Sequence, residues 1–504
     1  MLSVSKSVYS TFMKKQNNGI KRIIEYPIET QNRVFFDLIA RGQSTLWGKE
    51  HKYSSIHSVE NYRDLVPVMT YEDYAPYFER IKNGEQNLLW DKVITMFAKS
   101  SGTTTGKSKF IPVSSEALSD CHYKGGRDMI AMYLNNVSHS KLLFGKNISV
   151  TGSHSVFSNA KNSYLVGDIS ALLVEYLPFW AELIKIPPKK YSLISNWEDK
   201  IKFIADYVVK RNVVSLLGVP SWMLLILRTI SAAEAKSIEE IWPDLEVFFH
   251  GGVAFKPYKN RYNELITNKN MKYMEVYNAS EGYFAIQNDL ASDDMLLLLD
   301  HGVFYEFIPL DKDSVASKYA VTLDDVKVGE NYAMVITTNS GLWRYKIGDT
   351  VSFTSKYPFK IKITGRTKAY INVVGEELVV ENAETAIDEA AKKTCAVLSD
   401  FTVAPLFYED GKTVAHEWLV EFETSPEDMD LFADILDETL QNINSDYKAK
   451  RFKDMVIKKP VIREIPRGTF YKWFKNNNKL GGQNKIRRLS NDRDIVEEIY
   501  NIVK

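Results

Sequence analysis

Hydrophobic and polar positions along the chain change period several times, and each change marks an element. Near the start, Val34, Phe35, Leu38 and Ile39 recur at helical spacing before a stop at Gly42, and the stretch to about Trp90 reads helical. From about residue 91 to 360, short β-like runs alternate with longer helical ones. Val93-Ile94-Thr95-Met96-Phe97-Ala98 and Lys109-Phe110-Ile111-Pro112-Val113 read as strands on either side of a loop. A helix predicted over 201–209 precedes the apolar run 213–219. Another, over 232–240, precedes Leu245-Glu246-Val247-Phe248-Phe249 and then Gly251-Gly252. Strands that alternate with helices and end in glycine-rich loops predict an α/β fold of layered sheets and helices, with ligands at the strands' C-terminal ends.

The last part has a different pattern. Over 413–422, His416, Trp418, Val420 and Phe422 fall on one face against Glu417 and Glu421 on the other, which predicts a half-buried strand. Ser425-Pro426 reads as the cap of a helix whose Met429, Phe432, Leu436, Leu440 and Ile443 form one apolar stripe. A boundary near Thr364-Gly365-Arg366 divides the chain into a large unit, 1–365, and a smaller α+β unit, 366–504.

Composition narrows the class. A chain of 504 residues has room for several cores, and 64 basic against 64 acidic residues argues against a dedicated nucleic-acid binder. Cys121 and Cys395 offer neither a disulfide framework nor a metal cluster, so a reducing, cytoplasmic location is expected. The first residues have no signal-like apolar core, and Met295-Leu296-Leu297-Leu298-Leu299 is strand-sized, so no membrane segment is expected.

Candidate chemistry lies in four places. Ser100-Ser101-Gly102-Thr103-Thr104-Thr105-Gly106-Lys107-Ser108 ends like a phosphate-binding Walker loop, but only three residues separate its glycines, and a β-like run follows instead of a helix. The expectation is a mobile loop whose hydroxyls and N–H groups suit phosphate oxygens, or else an ordinary solvated turn. Tyr277-Asn278-Ala279-Ser280-Glu281-Gly282 sits where a strand would end; its glutamate could hold magnesium against phosphate, or be a solvated turn residue. Gly341-Leu342-Trp343-Arg344-Tyr345-Lys346-Ile347-Gly348-Asp349 offers a carboxylate able to accept both ribose hydroxyls, or a common Gly-Asp turn. Thr364-Gly365-Arg366-Thr367-Lys368 and the tail after Pro466-Arg467-Gly468-Thr469-Phe470 carry cations that suit anions or simply a solvated face. There is no HExxH or GxSxG pattern.

Taken in order, these motifs resemble the adenylate-forming superfamily of acyl-CoA synthetases, luciferases and peptide-synthetase adenylation domains. They are most similar to its auxin-responsive Gretchen Hagen branch of acyl-acid amido synthetases. Asp64-Leu65-Val66-Pro67-Val68-Met69-Thr70-Tyr71-Glu72-Asp73 and Gly481-Gly482-Gln483-Asn484-Lys485-Ile486-Arg487-Arg488-Leu489 extend the likeness, while Lys346 stands where the branch usually has arginine. The resemblance implies ATP and Mg2+, a carboxylic acid and an amino acid as substrates, and the adenylate-forming fold with a C-terminal unit that rotates between half-reactions. It implies that Ser100, Ser101, Gly102, Thr103 and Thr104 wrap the triphosphate and that Gly251, Gly252 and Val253 line the adenine. It further implies Tyr277 near the base, Ser280 on the α-phosphate, Glu281 on magnesium, Asp349 on the ribose, Arg366 on phosphate or ribose, Lys368 as the hinge, and Lys485 as the tail lysine that reaches the adenylate. Alternatives are an acyl-CoA synthetase with the same first step, or a catalytically inactive nucleotide-binding protein.

Overall fold

The computed structural model describes residues 6–100, 109–158, 162–253, 255, 258–310, 320–366, 370–371, 373–374, 376, 378–408, 414–451, 457–477, 479–480 and 485–503. The opening helical rhythm becomes the helices Lys6–Glu25, Pro27–Gly42 and Tyr71–Lys82, with shorter turns between them. Pro27 starts its helix where a missing N–H costs nothing, and Val34, Phe35, Leu38 and Ile39 are buried along one side.

An 11-stranded sheet organises the larger part of the chain. From edge to edge it runs Val303–Pro309, Asn331–Thr338, Tyr345–Lys356, Phe359–Arg366, Met295–Leu297, Gly282–Ile286, Lys272–Ala279, Val247–Gly251, Val213–Gly218, Lys146–Ser149 and Lys185–Ile186. Neighbours are antiparallel as far as Lys272–Ala279 and parallel beyond it. The central parallel strands Val213–Gly218 and Val247–Gly251 are largely buried, with helices such as Trp197–Val208 and Pro220–Glu234 packed over them. A separate 4-stranded sheet orders Lys109–Val113, Met96–Ser100, Ser163–Gly167 and His154–Ser158.

Two elements of this part of the chain differ from their sequence expectation. The strand expected from Val93 begins at Met96, because both backbone groups of Ile94 are taken by the Gln86 side chain, at 2.9 and 3.1 Å, instead of by a neighbouring strand. The helix expected over 232–240 is the end of Pro220–Glu234 followed by a separate turn, Ile238–Ile241. Ala235, at φ 51°, breaks the run, and Ser237 and Glu240 then cap the new turn reciprocally.

After residue 370 the chain builds cores of its own around a 3-stranded sheet, Val397–Phe407, Val414–Thr424 and Val461–Ile465. Its central strand is buried on both faces, not one. Trp418, Val420 and Phe422 meet the helices Val380–Lys393 and Met429–Ile443, while Leu419 meets Thr469–Asn476 and Asp494–Val503. Glu417 is tolerated there because Arg493 and the Tyr500 hydroxyl both donate to it at 2.8 Å. Glu421 accepts the backbone N–H groups of Gly468 and Phe470. The cap of Met429–Ile443 is Asp428, whose carboxylate accepts the Leu431 N–H at 2.9 Å; Ser425 instead donates to Glu464, and Ile443 is exposed. Among the described residues, no helix is long and apolar enough to cross a membrane.

Candidate active site

The strand Lys272–Ala279 has a parallel neighbour on one side and an antiparallel neighbour on the other. Its C-terminal end therefore lies beside those of the parallel strands, and its next partner returns through the two-residue turn Ser280-Glu281, closed by Gly282 opposite Ala279. Ser280 is buried in that turn and Glu281 is half-buried at its tip.

Tyr277, near the end of the same strand, is held edge-on against Phe284 with ring centroids 5.0 Å apart. Its hydroxyl donates to Asp349 Oδ2 at 2.6 Å. Asp349 is not in a Gly-Asp turn. It lies within the strand Tyr345–Lys356, opposite Arg366 in register, just before the ladder shifts between Thr350 and Val351. The preceding aromatic-cationic stretch is mostly core. Trp343 is buried, and buried Arg344 makes a two-point contact with Glu306 at 2.9 and 3.0 Å and donates to the Val66 carbonyl at 2.7 Å. The backbone of Met69 then bonds to Arg344 and Lys346, which ties the early segment to the strand carrying Asp349.

Gly251 ends the strand Val247–Gly251 and pairs with Val276, the residue before Tyr277. Gly252 follows at φ 82°. The ammonium of Lys485, from the far end of the chain, donates to the Gly252 carbonyl. His250, behind the glycines, is buried and stacked on Phe255 at 4.2 Å, and burial pushes its imidazole down to about 3, so it is neutral at pH 7. Val253 packs at the edge of the same core. Glu275, opposite His250, has its carboxyl pushed up to about 7 by burial, reinforced by the charges of Glu384 and Asp293.

Of the remaining candidates, Ser100 ends the strand Met96–Ser100 opposite Lys109, and the backbone of Arg366 ends Phe359–Arg366. Ser101, Gly102, Thr103, Thr104 and Lys368 lie outside the described residues. The C-terminal side of the hydroxyl-rich loop is tied down where the Phe110 N–H donates to the Tyr71 hydroxyl at 3.0 Å.

The structure adds two lysines that sequence reasoning passed over. Lys200, on the buried face of Trp197–Val208, donates to the carbonyls of Thr151 and Gly152 at 2.9 and 2.8 Å, beyond the end of the strand Lys146–Ser149. Lys185 donates to the Pro187 carbonyl at 2.8 Å and to Ser192. Burial pushes their ammonium groups down to about 8 and about 7 respectively. Their acceptors are backbone carbonyls and a serine, which leave no mark in a sequence pattern. Lys200 falls at helical spacing with apolar Trp197, Ile201 and Ile204, a position that could have flagged it.

Comparisons with known proteins find matches along most of the chain. Family models match the chain as the GH3 family N-terminal domain over residues 16–271, the central domain over 296–366 and the C-terminal domain over 381–494. The Arabidopsis thaliana indole-3-acetic acid-amido synthetase GH3.4 is 24% identical, over 90% of this chain and 87% of its own length. The 4-substituted benzoates-glutamate ligase GH3.12 of the same plant is 25% identical, over 82% and 83%. Among solved structures, the GH3.15 acyl acid amido synthetase matches with a TM-score of 0.80 at 17% identity, covering 96% of this chain and 94% of the other. A 2-hydroxyisobutyryl-CoA ligase in the postadenylation state matches at 0.59 and 12% identity, over 94% and 91%. The structural likenesses establish the fold, which is that of adenylate-forming ligases.

Proposed function

We propose, on the premise that the chain belongs to the GH3 family, that it is an ATP-dependent acyl-acid amido synthetase. It activates a carboxylic acid as an acyl-adenylate and passes the acyl group to the amine of an amino acid. One observation carries this beyond family membership. Lys485, Gly252, Tyr277, Asp349 and Arg366, drawn from separate motifs, form one series: a hydrogen bond from Lys485 to Gly252, the Gly251–Val276 rung, a hydrogen bond from Tyr277 to Asp349, and the Asp349–Arg366 rung.

In this reading the adenine lies along Gly251, Gly252 and Val253, against a neutral His250 that adds no charge. Asp349, oriented by the Tyr277 hydroxyl, takes the ribose, with Arg366 beside it. Ser280, Ser100, Ser101, Gly102, Thr103 and Thr104 are the groups proposed to bind the phosphates. Glu281 alone among these groups would hold magnesium. Among the described residues there is no cluster of three or more metal-ligating side chains, which suits an ion that keeps water and phosphate oxygens as its other ligands and reaches the protein through one carboxylate. When bound, magnesium offsets phosphate charge.

In the first half-reaction a carboxylate oxygen of the acid attacks the α-phosphorus, and pyrophosphate leaves with the electron pair of the broken P–O bond. In the second, the amine nitrogen attacks the acyl carbon, AMP leaves with the C–O electron pair, and the nitrogen loses a proton. Lys485 places a positive charge where phosphate charge changes, and preorganised donors of this kind are worth about 100- to 1000-fold in rate. Residues 1–365 and 366–504 act as two units, the second turning about Lys368 between half-reactions. The free cysteines Cys121 and Cys395 suit a reducing cytoplasm.

The test is acid-dependent exchange of labelled pyrophosphate into ATP, followed by product analysis with amino acids and with coenzyme A. An amide product is expected. A thioester as the sole product would overturn the amide reading, and ATP binding without exchange across a broad panel of acids would overturn adenylation itself.

A further inference from the structure

The seam between the two units contains a charge cluster that the chemistry above does not use. Glu423, near the end of the strand Val414–Thr424, receives a two-point contact from Arg228, Nη1 to Oε1 at 2.6 Å and Nη2 to Oε2 at 2.7 Å. Arg261 also donates to Glu423, and its Nη1 reaches the Leu398 carbonyl at 3.2 Å. Ser399 donates to the same carboxylate from within its own unit at 3.2 Å. Both arginines lie on helices of the larger unit, Pro220–Glu234 and Lys259–Leu265.

The cluster differs from a second ion pair on this seam. Lys475 and Glu198 pair at 2.7 Å with both side chains more than half exposed, an arrangement that contributes little in water. Arg261, by contrast, is buried, and the Glu423 side chain is only 18% exposed. Burial pushes the Glu423 carboxyl up, but the hydrogen bond from Arg228 and the charges of Arg261 and Arg228 outweigh it and hold the carboxyl below its ordinary range. A planar carboxylate held by a two-point arginine contact tolerates little displacement.

We infer that Glu423, gripped by Arg228 and Arg261, is the latch that holds residues 366–504 in the orientation placing Lys485 on Gly252. It is therefore a positioning residue for adenylation that must be released before acyl transfer. The inference rests on the two-half-reaction reading above. Opening the latch separates one half-buried carboxylate from two cations at once, so the closed arrangement is favoured until substrate contacts in the other orientation replace it.

The test uses the full chain with Glu423→Gln and, because that change leaves Arg261 buried without its counter-charge, also the milder Arg228→Gln. Acid-dependent pyrophosphate exchange should fall about tenfold or more in Glu423→Gln and less in Arg228→Gln. Single-turnover reaction of supplied acyl-adenylate with an amino acid should be unchanged or faster. Equal loss in both half-reactions, or loss in neither, would overturn the latch. A second readout does not depend on activity. Cys395 is exposed and Cys121 buried, so spin labels on Cys395 and on an introduced Lys269→Cys report the distance between the units. The parent should give one narrow distance and both latch variants a second population; an unchanged distribution overturns the proposal. If the parent showed no acid-dependent exchange, the functional reading would fail, and the distance measurement alone would still decide the latch.

Discussion

A methyl group added at Gly251 tests whether the register of two strands sets the site. A Cβ there would lie 2.3 Å from the carbonyl oxygen of Val276, 3.2 Å from Val276 Cγ2 and 3.4 Å from Asn278 Oδ1. Carbon–oxygen contacts in sheets close to about 3.3 Å, so the strands Val247–Gly251 and Lys272–Ala279 must part by roughly 1 Å against a normal spacing of about 4.8 Å. The obstacle is backbone, so a rotamer change cannot relieve it. Overpacking of this kind costs about 1–3 kcal/mol. The same shift carries Gly251 and Gly252 away from Tyr277 and Asp349 on the other side of the gap, and a misplacement of about 1 Å near reacting groups costs roughly 100-fold in rate. Gly252→Ala is the comparison. Its Cβ meets nothing closer than Val219 Cγ2 at 3.4 Å, but φ 82° strains any L side chain, by about 1–2 kcal/mol. Urea denaturation should therefore show similar stability losses for the two variants, while pyrophosphate exchange falls roughly 100-fold in Gly251→Ala. Wild-type exchange in a folded Gly251→Ala protein would refute the reasoning.

Glu281→Ala should lower exchange about 100- to 1000-fold with the thermal midpoint hardly moved, since the residue sits half-exposed in a tight turn; wild-type rates under saturating magnesium would remove its role. Glu306→Gln should cost about 3–5 kcal/mol in urea denaturation by leaving the Arg344 charge buried without its counter-charge, and a loss below about 1 kcal/mol would show that Arg344 finds compensation elsewhere. Glu275→Gln should change the pH dependence of stability. The folded carboxyl titrates at about 7 against an ordinary 4.5, so the folded wild type binds more protons in that window and loses stability as pH rises through it. A glutamine does not titrate, so the variant should gain on wild type between those pH values, by at most about 3 kcal/mol. A pH-independent difference would contradict the burial of that carboxyl.

Much of the fold was legible because its strands and helices carry strong periods. The helix Pro27–Gly42, the strand Val213–Gly218 and the order of the motifs needed no tertiary information. What escaped depended on distant partners. Alternation around Glu417 and Glu421 looked like one wet face, because the groups that satisfy those carboxylates come from residues 463–500, far along the chain. Gln86 ended a strand by capturing the backbone of Ile94, and no propensity anticipates that. Sequence named Tyr277 and Asp349 from separate motifs but could not place one against the other across 72 positions. The Arg228–Glu423–Arg261 cluster left no trace, since three charges on three elements have no common spacing.

The change of sheet type at Lys272–Ala279 explains why one site can draw on the whole chain. In an open parallel sheet each strand runs out into a loop and a helix, and ligands sit in the crevice beyond the strand ends. Here the last parallel strand instead turns back through Ser280-Glu281 into an antiparallel neighbour. Its end therefore stays at the crevice, while the proposed magnesium carboxylate stands on a two-residue turn braced on both sides by strands. A carboxylate on a turn this short is held more rigidly than one on a long loop. The antiparallel half then brings Tyr345–Lys356 within reach of Tyr277, so the proposed ribose carboxylate comes from a region that a parallel sheet alone would not deliver. Lys485 is the one member of the contact series that lies beyond the proposed hinge at Lys368. That division of labour puts the other groups proposed to bind the nucleotide before the proposed hinge and leaves the Lys485 charge to arrive and depart with the residues after it.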